Sequence, residues 1–242
     1  VYLQDTWTPT WDLEITYGVR YERTFADDQP RLNDRFVQRY QFANTENLDG
    51  VDIILPRVGF KWNFTDDMTL RGGVGKYSGG RPNVWISNAY TNDGIGAVNF
   101  DPSSVDSSVY LENVDLANVP QEIVDSLVAG DGIVTPIDPN FELPSEWRSS
   151  LAIDWNGADL GYLGEDWFLS AEFIYGKKQD DVAWTDLSRR TLLDENGNPV
   201  TTLAGRPIYV ADDPLDNHVP SEIGDDNGIS RYDLMLTNGR SG

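Results

Sequence analysis

VYLQDTWTPTWDLEITYGVRY, residues Val1 to Tyr21, contains two strand-like runs on either side of a short turn. From position 13 to position 22 the odd residues are apolar and the even residues are polar or glycine, beginning with Leu13-Glu14-Ile15-Thr16. Such strict alternation predicts a β-strand with one apolar face and one polar face. A strand of this kind fits a soluble sandwich over a dry core, or a membrane barrel with lipid outside and water inside.

The same alternation recurs later in the chain. Strand pairs are predicted at about 1–22, 53–78 and 147–177, with the start of a further strand at 231–238. Short turns join the strands of each pair, the first of them around Pro9, whereas long polar segments (23–52, 79–146 and 178–230) follow the pairs. Outer-membrane barrels show this asymmetry between their two rims. We therefore predict an all-β fold, an antiparallel up-and-down meander that is part of a transmembrane β-barrel, with long loops and one short helix at Asn118–Gly130.

Composition excludes several classes of function. The formal net charge is -22, from 40 acidic and 18 basic residues, so nucleic acid or an anionic membrane surface is a poor partner by simple repulsion. The absence of cysteine excludes disulfides and thiolate metal sites. No apolar run approaches the roughly twenty residues of a spanning helix, and no signal peptide is present. Because Val1 already stands in strand register, we expect a mature or excised segment of a longer protein.

Under the barrel interpretation, the alternation assigns each strand residue to a face. The polar positions would face the lumen, and the candidates are Glu14, Thr16, Arg20, Arg57, Lys61, Arg71, Arg148, Asp154 and Glu172. The apolar positions would face lipid or form aromatic girdles at its two interfaces. These candidates are Trp7, Leu13, Ile15, Tyr17, Val19, Tyr21, Phe60, Trp62, Trp147, Trp155, Trp167, Phe173 and Tyr175.

Catalytic and metal motifs are weak, and we expect no enzymatic activity, no metal site and no cofactor. The single histidine, His218, lies in a polar segment without partners at a catalytic spacing. Asp194, Asn196 and Asn198 alternate like a calcium loop, but position 205, where its glutamate would stand, is Gly205. A hairpin turn at 194–199 explains them better.

Two pairs of motifs resemble the TonB-dependent outer-membrane receptors. The hairpin formed by QDTW (4–7) and LEITYGVRYE (13–22) is similar to one of their barrel hairpins. PRVGFKW (56–62) and LRGGVGKY (70–77) resemble the next hairpin, in the form found in the Oar-like branch, whose members carry a carboxypeptidase-regulatory-like domain. The motifs that carry the resemblance lie within residues 1–77. The remainder of the chain shares only the alternation of short and long connections between strands.

This resemblance implies a Gram-negative outer-membrane receptor for active uptake. Such receptors have a barrel of about 22 strands around a plug domain. The implied partners are outer-membrane lipid, the plug domain and the TonB system of the full-length protein, and a small ligand, peptide or glycan. This chain shows no plug, no TonB box and only about seven strand candidates, too few to close, since the smallest barrels need about eight. The resemblance therefore implies a partial barrel segment, with strand pairing kept and closure absent.

Two alternatives stay open. The first is a soluble all-β binding module for a glycan or peptide, in which Trp85, Tyr90 and Trp184 stack against sugars. The second and weaker alternative is a glycoside hydrolase, which needs two facing carboxylates about 5 to 10 Å apart.

Overall fold

Six strands form one antiparallel sheet in chain order in the computed structural model, which describes residues 1–80, 82–98, 100, 105–112, 117–215 and 232–239. The strands are β1 (Tyr2–Thr10), β2 (Leu13–Arg23), β3 (Asp52–Trp62), β4 (Met68–Ser78), β5 (Ser145–Ala158) and β6 (Trp167–Gln179). Each strand pairs with its neighbours in sequence, and β1 and β6 lie at the two edges. The predicted antiparallel meander is confirmed, and the sheet is open.

The first turn is tighter than expected. β1 continues to Thr10, which pairs with Leu13, so only Trp11 and Asp12 connect the strands. Pro9 lies within β1, where the register shifts between Trp7 and Thr10, and not in the turn. Proline has no N–H to donate, and an edge strand with a local irregularity is where a sheet tolerates it.

The glycines of β4 let neighbouring strands approach closely. A Cβ added to Gly72 would lie 2.7 Å from the Ser150 carbonyl oxygen, and one added to Gly73 would lie 2.6 Å from the Val58 carbonyl oxygen. The two contacts point to opposite neighbours, β5 and β3. The glycine-rich sequence therefore serves packing on both sides of this strand.

The long connections contain four short helices among the described residues, where the sequence predicted one. They are α1 (Asp34–Tyr40), α2 (Asn83–Thr91), α3 (Ser108–Leu111) and α4 (Gln121–Ser126), and a 3-10 turn covers Gly161–Leu163. The predicted helix at 118–130 is reduced to α4, because the chain turns extended at Leu127, with ψ 131°. None of the described helices is long and apolar enough to cross a membrane.

Four further strands form two small sheets outside the meander. β7 (Val182–Asp186) pairs with β10 (Leu234–Asn238), and β8 (Arg189–Thr191) pairs with β9 (Tyr209–Ala211). The strand expected at 231–238 therefore pairs with β7 and does not extend the six-stranded sheet, and Arg231 lies outside the described residues. Its Leu236 side chain is 3% exposed in an apolar cluster of the long connections, which explains its position.

The hydrophobic core lies among the long connections and not against the middle of the sheet. It consists of Leu48, Ile53, Leu55, Ala89, Ile137, Phe141, Leu143 and Leu236. We call the described parts of 24–51, 79–144 and 180–239 the loop layer. Only Ile53 and Leu55 of the core come from the six-stranded sheet, at the end of β3 nearest these connections. The loop layer is thus a packed unit that rests on one end of the sheet.

Candidate functional site

The strand register separates the predicted lumen and lipid residues onto opposite faces of the sheet. Residues directly opposite in antiparallel strands project to the same side. Glu14 pairs with Lys61, and Lys61 pairs with Arg71, so these three side chains share one face. Applied across all six strands, the same register places the nine lumen candidates on this polar face and the thirteen lipid or girdle candidates on the opposite, apolar face.

A groove of about 430 Å³ runs across the polar face, and we call it the polar groove. Its floor is one cross-strand row of small side chains: Thr16, Gly59, Gly73 and Ser150. Arg57 and Arg148 stand on one side of that row, two residues along their strands, and Lys61 and Arg71 stand on the other side. The sequence identified these cations one by one, and the register brings them together around a single cavity.

The polar groove is positively charged although the chain carries a net charge of -22. Four cations and one carboxylate, that of Glu14, line it. Arg71 is held by Asp154 at 2.9 Å and by Glu172 at 3.6 Å. Arg57 and Lys61 form no ion pair among the described residues, and Arg57 donates a hydrogen bond to the Gln4 side-chain oxygen. These two cations are therefore available to a partner that carries negative charge.

Aromatic side chains bound the apolar face at both ends of the strands. Trp147 and Trp155 lie eight residues apart on β5, and Trp167 and Tyr175 lie eight apart on β6. Eight residues of strand extend about 27 Å. With the tilt usual in barrels this length spans about 20 Å, close to the roughly 25 Å apolar band of outer-membrane barrels.

The line of boundary aromatic residues is inclined to the strands, so its position along the strand shifts from one edge of the sheet to the other. At the turn end it runs through Trp7, Trp62, Trp155 and Trp167. In the register Trp7 is level with Phe173 of β6, whereas Trp167 lies six residues beyond Phe173. The boundary is therefore displaced by about 20 Å along the strand direction over five strand spacings of about 4.8 Å. This displacement corresponds to an angle of about 40° between the boundary and the perpendicular to the strands. Barrel strands are tilted by about 35–45°.

The loop layer packs against one end of the polar face and not against the apolar face. Ile53 and Leu55, which the loop layer buries, are opposite Glu22 and Arg20 in the register and so belong to the polar face. Ile54, between them, is 58% exposed, and Leu151 in the middle of β5 is 50% exposed. A large exposed apolar surface of this kind marks an interaction surface with protein or membrane.

A buried polar network holds the loop layer together. Asn33 accepts a hydrogen bond from the Phe36 N–H as the N-cap of α1, and its amide donates to the carbonyl oxygens of Asp93 and Gly130. The Arg39 side chain is 1% exposed and binds Asp131 at 2.8 Å and Asp213 at 2.6 Å. Three distant segments are thereby joined at α1.

Sequence reasoning missed this network. Asn33-Asp34 before an apolar-containing run is the one local signal that was present, since asparagine favours the N-cap position and an acidic residue favours the first helical turn. Asp233, which is fully buried, accepts hydrogen bonds from the Val134 N–H and the Tyr40 hydroxyl. Nothing in its local sequence distinguishes it from exposed aspartates.

The pKa of the Asp93 carboxyl links the stability of the loop layer to pH. Burial acts to raise its pKa, but N–H donors from Gly96 and Ile95 and the Arg31 guanidinium at 2.6 Å stabilise the anion, and the net result is a lowered pKa. A carboxyl whose pKa is lower in the folded state takes up protons more readily in the unfolded chain, so acid shifts the equilibrium toward unfolding.

We expect the loop layer to lose stability as the pH falls below the ordinary aspartate pKa of about 3.9 and through the folded-state pKa of Asp93. Above that window the contribution of this carboxylate is fully present. Urea unfolding monitored across the acidic range would measure the effect. Asp93→Asn should flatten this part of the pH dependence, and an unchanged slope in the variant would show that other groups cause the acid sensitivity.

Two tryptophans from different long connections meet on the loop layer. The rings of Trp85, on α2, and Trp184, on β7, have centroids 4.6 Å apart with an interplanar angle of 50°, and both are partly exposed. Tyr90, the third predicted sugar-stacking residue, donates its hydroxyl to the Asp28 carbonyl oxygen at 2.6 Å. The structure therefore brings two of the three aromatic candidates into contact.

The weak catalytic and metal motifs gain no partners from the described parts of the chain. The Asp194 carboxylate accepts hydrogen bonds from the N–H groups of Asn196 and Asn198 inside a tight turn, which also lowers its pKa, the Asn198 N–H having the largest effect. No group of three or more acidic or histidine side chains is placed to hold a metal ion within the described ranges. His218 lies outside those ranges.

Comparison with known proteins gives one match. No curated protein and no solved structure matches the chain. Residues 1–117, which include the first four strands and both resembling hairpins, match the family model described as TonB dependent receptor-like, beta-barrel. This match, together with the antiparallel meander and its two unlike faces, supports the TonB-dependent receptor family for this chain.

Proposed function

We propose that this chain is a segment of the barrel wall of an outer-membrane TonB-dependent receptor that binds a ligand outside the cell and takes part in its active uptake. The apolar face meets the lipid of a Gram-negative outer membrane, and the polar face lines the lumen. The observation that carries this proposal is the position of the loop layer. The long connections pack over the polar face at one end of the sheet and leave the apolar face uncovered.

A soluble binding module would require the reverse arrangement. Its apolar face would be its core, and a second sheet or the long connections would cover it. Here the residues that cover the sheet contact Ile53 and Leu55 of the polar face, and Leu151 at the centre of the apolar face stays half exposed. The tilt of about 40° in the aromatic boundary adds independent support, because barrel strands are tilted to this extent and the girdles follow the membrane plane.

The polar groove is the part of the lumen face suited to a plug domain in the full-length receptor. Arg57 and Lys61 form no salt bridge within the described ranges, and the row of small residues between them leaves room for another backbone. Ligand recognition belongs to the loop layer, where Trp85 and Trp184 offer an exposed aromatic surface. The PRVGFKW and LRGGVGKY motifs (56–62 and 70–77) favour the Oar-like branch.

Cysteine scanning tests the proposal directly, because the natural chain has no cysteine. Single substitutions Ser149→Cys, Leu151→Cys and Ile153→Cys lie on the apolar face, and Ser150→Cys and Ala152→Cys lie on the polar face. Each variant of the full chain would be refolded with phosphatidylcholine vesicles and labelled with an environment-sensitive fluorophore. We expect lipid-borne nitroxides to quench the label at the three odd positions and to leave the label at the two even positions bright.

The result distinguishes the two candidate functions. A soluble module would shield the odd positions in the absence of lipid and show no quenching by nitroxides in the bilayer. Equal quenching at odd and even positions would contradict the assignment of lumen and lipid faces.

A further inference from the structure

Three residues lie side by side on the apolar face at its end nearest the loop layer. Lys76 of β4 is opposite Trp147 of β5, and Trp147 is opposite Lys177 of β6. We call this group of two lysines and one tryptophan the lysine triplet. Two strand spacings separate the lysine backbones, about 10 Å, so that both flexible side chains can reach one group above the indole ring. Trp147 is 40% exposed between them.

The lysine triplet lies at the level where a membrane interface would be. Trp147 and Tyr175 are the aromatic boundary at this end of β5 and β6, and Lys177 lies two residues beyond Tyr175, away from the middle of the sheet. The apolar face of the six strands carries three cations, and Arg23 is the third. All three are at the loop end, and the turn end of this face has none. The basic charge therefore belongs to one interface.

The two lysines have no anionic partner within the described part of the protein. Arg23 is directly opposite Asp52 in the register and lies over the Phe25 ring. Lys178, the next residue along from Lys177 but on the polar face, binds Asp181 at 2.9 Å. Lys76 and Lys177 form no such pair, although acidic residues outnumber basic ones by 40 to 18 in this chain. Their position favours an anion supplied from outside the protein.

We propose that the lysine triplet binds the phosphate group of a membrane lipid in the leaflet on the loop side. This inference rests on the proposed barrel function. Lysine side chains near the end of a lipid-facing strand extend their ammonium groups toward the headgroups, and tryptophan prefers the same depth. Below the triplet the face continues through Val74 and Tyr175 to Leu151 and Phe173, which offer apolar contact to an acyl chain. A phosphate-bearing amphiphile fits both parts, whereas free phosphate fits the lysines alone.

Vesicle flotation of the full chain tests the proposal. Binding would be compared between pure phosphatidylcholine vesicles and vesicles that also contain phosphatidic acid, whose phosphate is exposed. Basic residues near an anionic bilayer strengthen binding substantially, so Lys76→Gln with Lys177→Gln should lower the ratio of anionic to neutral binding by about tenfold or more. The matched control is Lys178→Gln with Arg206→Gln, which removes the same charge from the polar face and the loop layer and should keep the wild-type ratio.

Each outcome decides the question. A wild-type ratio in the Lys76 and Lys177 double variant would overturn the lysine triplet as a lipid site. Restoration of the ratio by Lys76→Arg with Lys177→Arg would support it, since arginine also binds phosphate. If inorganic phosphate abolishes the preference for phosphatidic acid at equal phosphate concentration, the site is one for free phosphate and the lipid proposal fails. If no variant binds pure phosphatidylcholine, the assignment of the apolar face to lipid fails, a result separate from any change in ratio.

Discussion

Substitution of Arg39 by methionine is expected to lower the free energy of unfolding of the loop layer by about 3–5 kcal/mol, the usual cost of removing one partner from a buried ion pair. The Arg39 side chain is 1% exposed and contacts the carboxylates of Asp131 and Asp213. Methionine keeps most of the volume but leaves both carboxylates without this cation. Hydrogen exchange of the Val37 amide in α1 and of the Gln41 amide at its C-cap would report the loss.

Arg35→Met is the matched control for Arg39→Met. Arg35 lies on the same helix and approaches the same Asp131 carboxylate at 3.4 Å, but its side chain is 37% exposed. An ion pair of that exposure contributes at most about 1 kcal/mol. Similar losses in the two variants would show that burial of Arg39 does not set its importance. A loss in Arg39→Met that leaves exchange in β2 and β3 unchanged would show that the loop layer unfolds separately from the sheet.

Leu151→Arg is expected to weaken insertion of the chain into phosphatidylcholine vesicles by about 2–4 kcal/mol, the cost of arginine at the middle of a lipid-facing strand. Leu151 lies midway between Trp147 and Trp155 on the apolar face and is 50% exposed. If this face meets lipid, the guanidinium must leave water at the greatest depth. Flotation at increasing urea concentration would measure the change in the midpoint of insertion.

Ile174→Arg is the control for Leu151→Arg. It makes the same kind of change on the adjacent strand at a residue that is 60% exposed, but Ile174 is opposite Ser150 on the polar face. A lumen-facing arginine remains hydrated, and we expect little effect on insertion. Equal losses from the two substitutions would contradict the separation of lipid and lumen faces, and a larger loss from Ile174→Arg would reverse it.

Sequence reasoning predicted the meander well because its information is local. In β2 the sequence assigns each residue from Leu13 to Glu22 to a face, and only two residues separate this strand from its hairpin partner β1. The match over residues 1–117 agrees with the motifs of the first two hairpins. The same reasoning failed for Leu234–Asn238, because β-propensity identifies a strand and not its partner, and the partner is about fifty residues earlier in the chain.

The sequence predicted the polar groove only in part. The alternation was sufficient to predict that Arg57, Lys61, Arg71 and Arg148 share a face. It contained no information on which of them would be neighbours, since a register shift of two residues keeps the faces and changes every pair. The cross-strand register decided that these cations would surround a floor of small residues.

By itself, the sequence determined the strands, the short turns and the two unlike faces of the sheet, because a two-residue period and a hairpin are properties of adjacent residues. Only the tertiary structure decided that the long acidic connections form a packed layer, and that this layer packs over one end of the polar face. Asn33, Arg39 and Asp233 hold it together through contacts with residues far along the chain. Such contacts have no period, so a polar residue destined for burial looks the same in sequence as one destined for water.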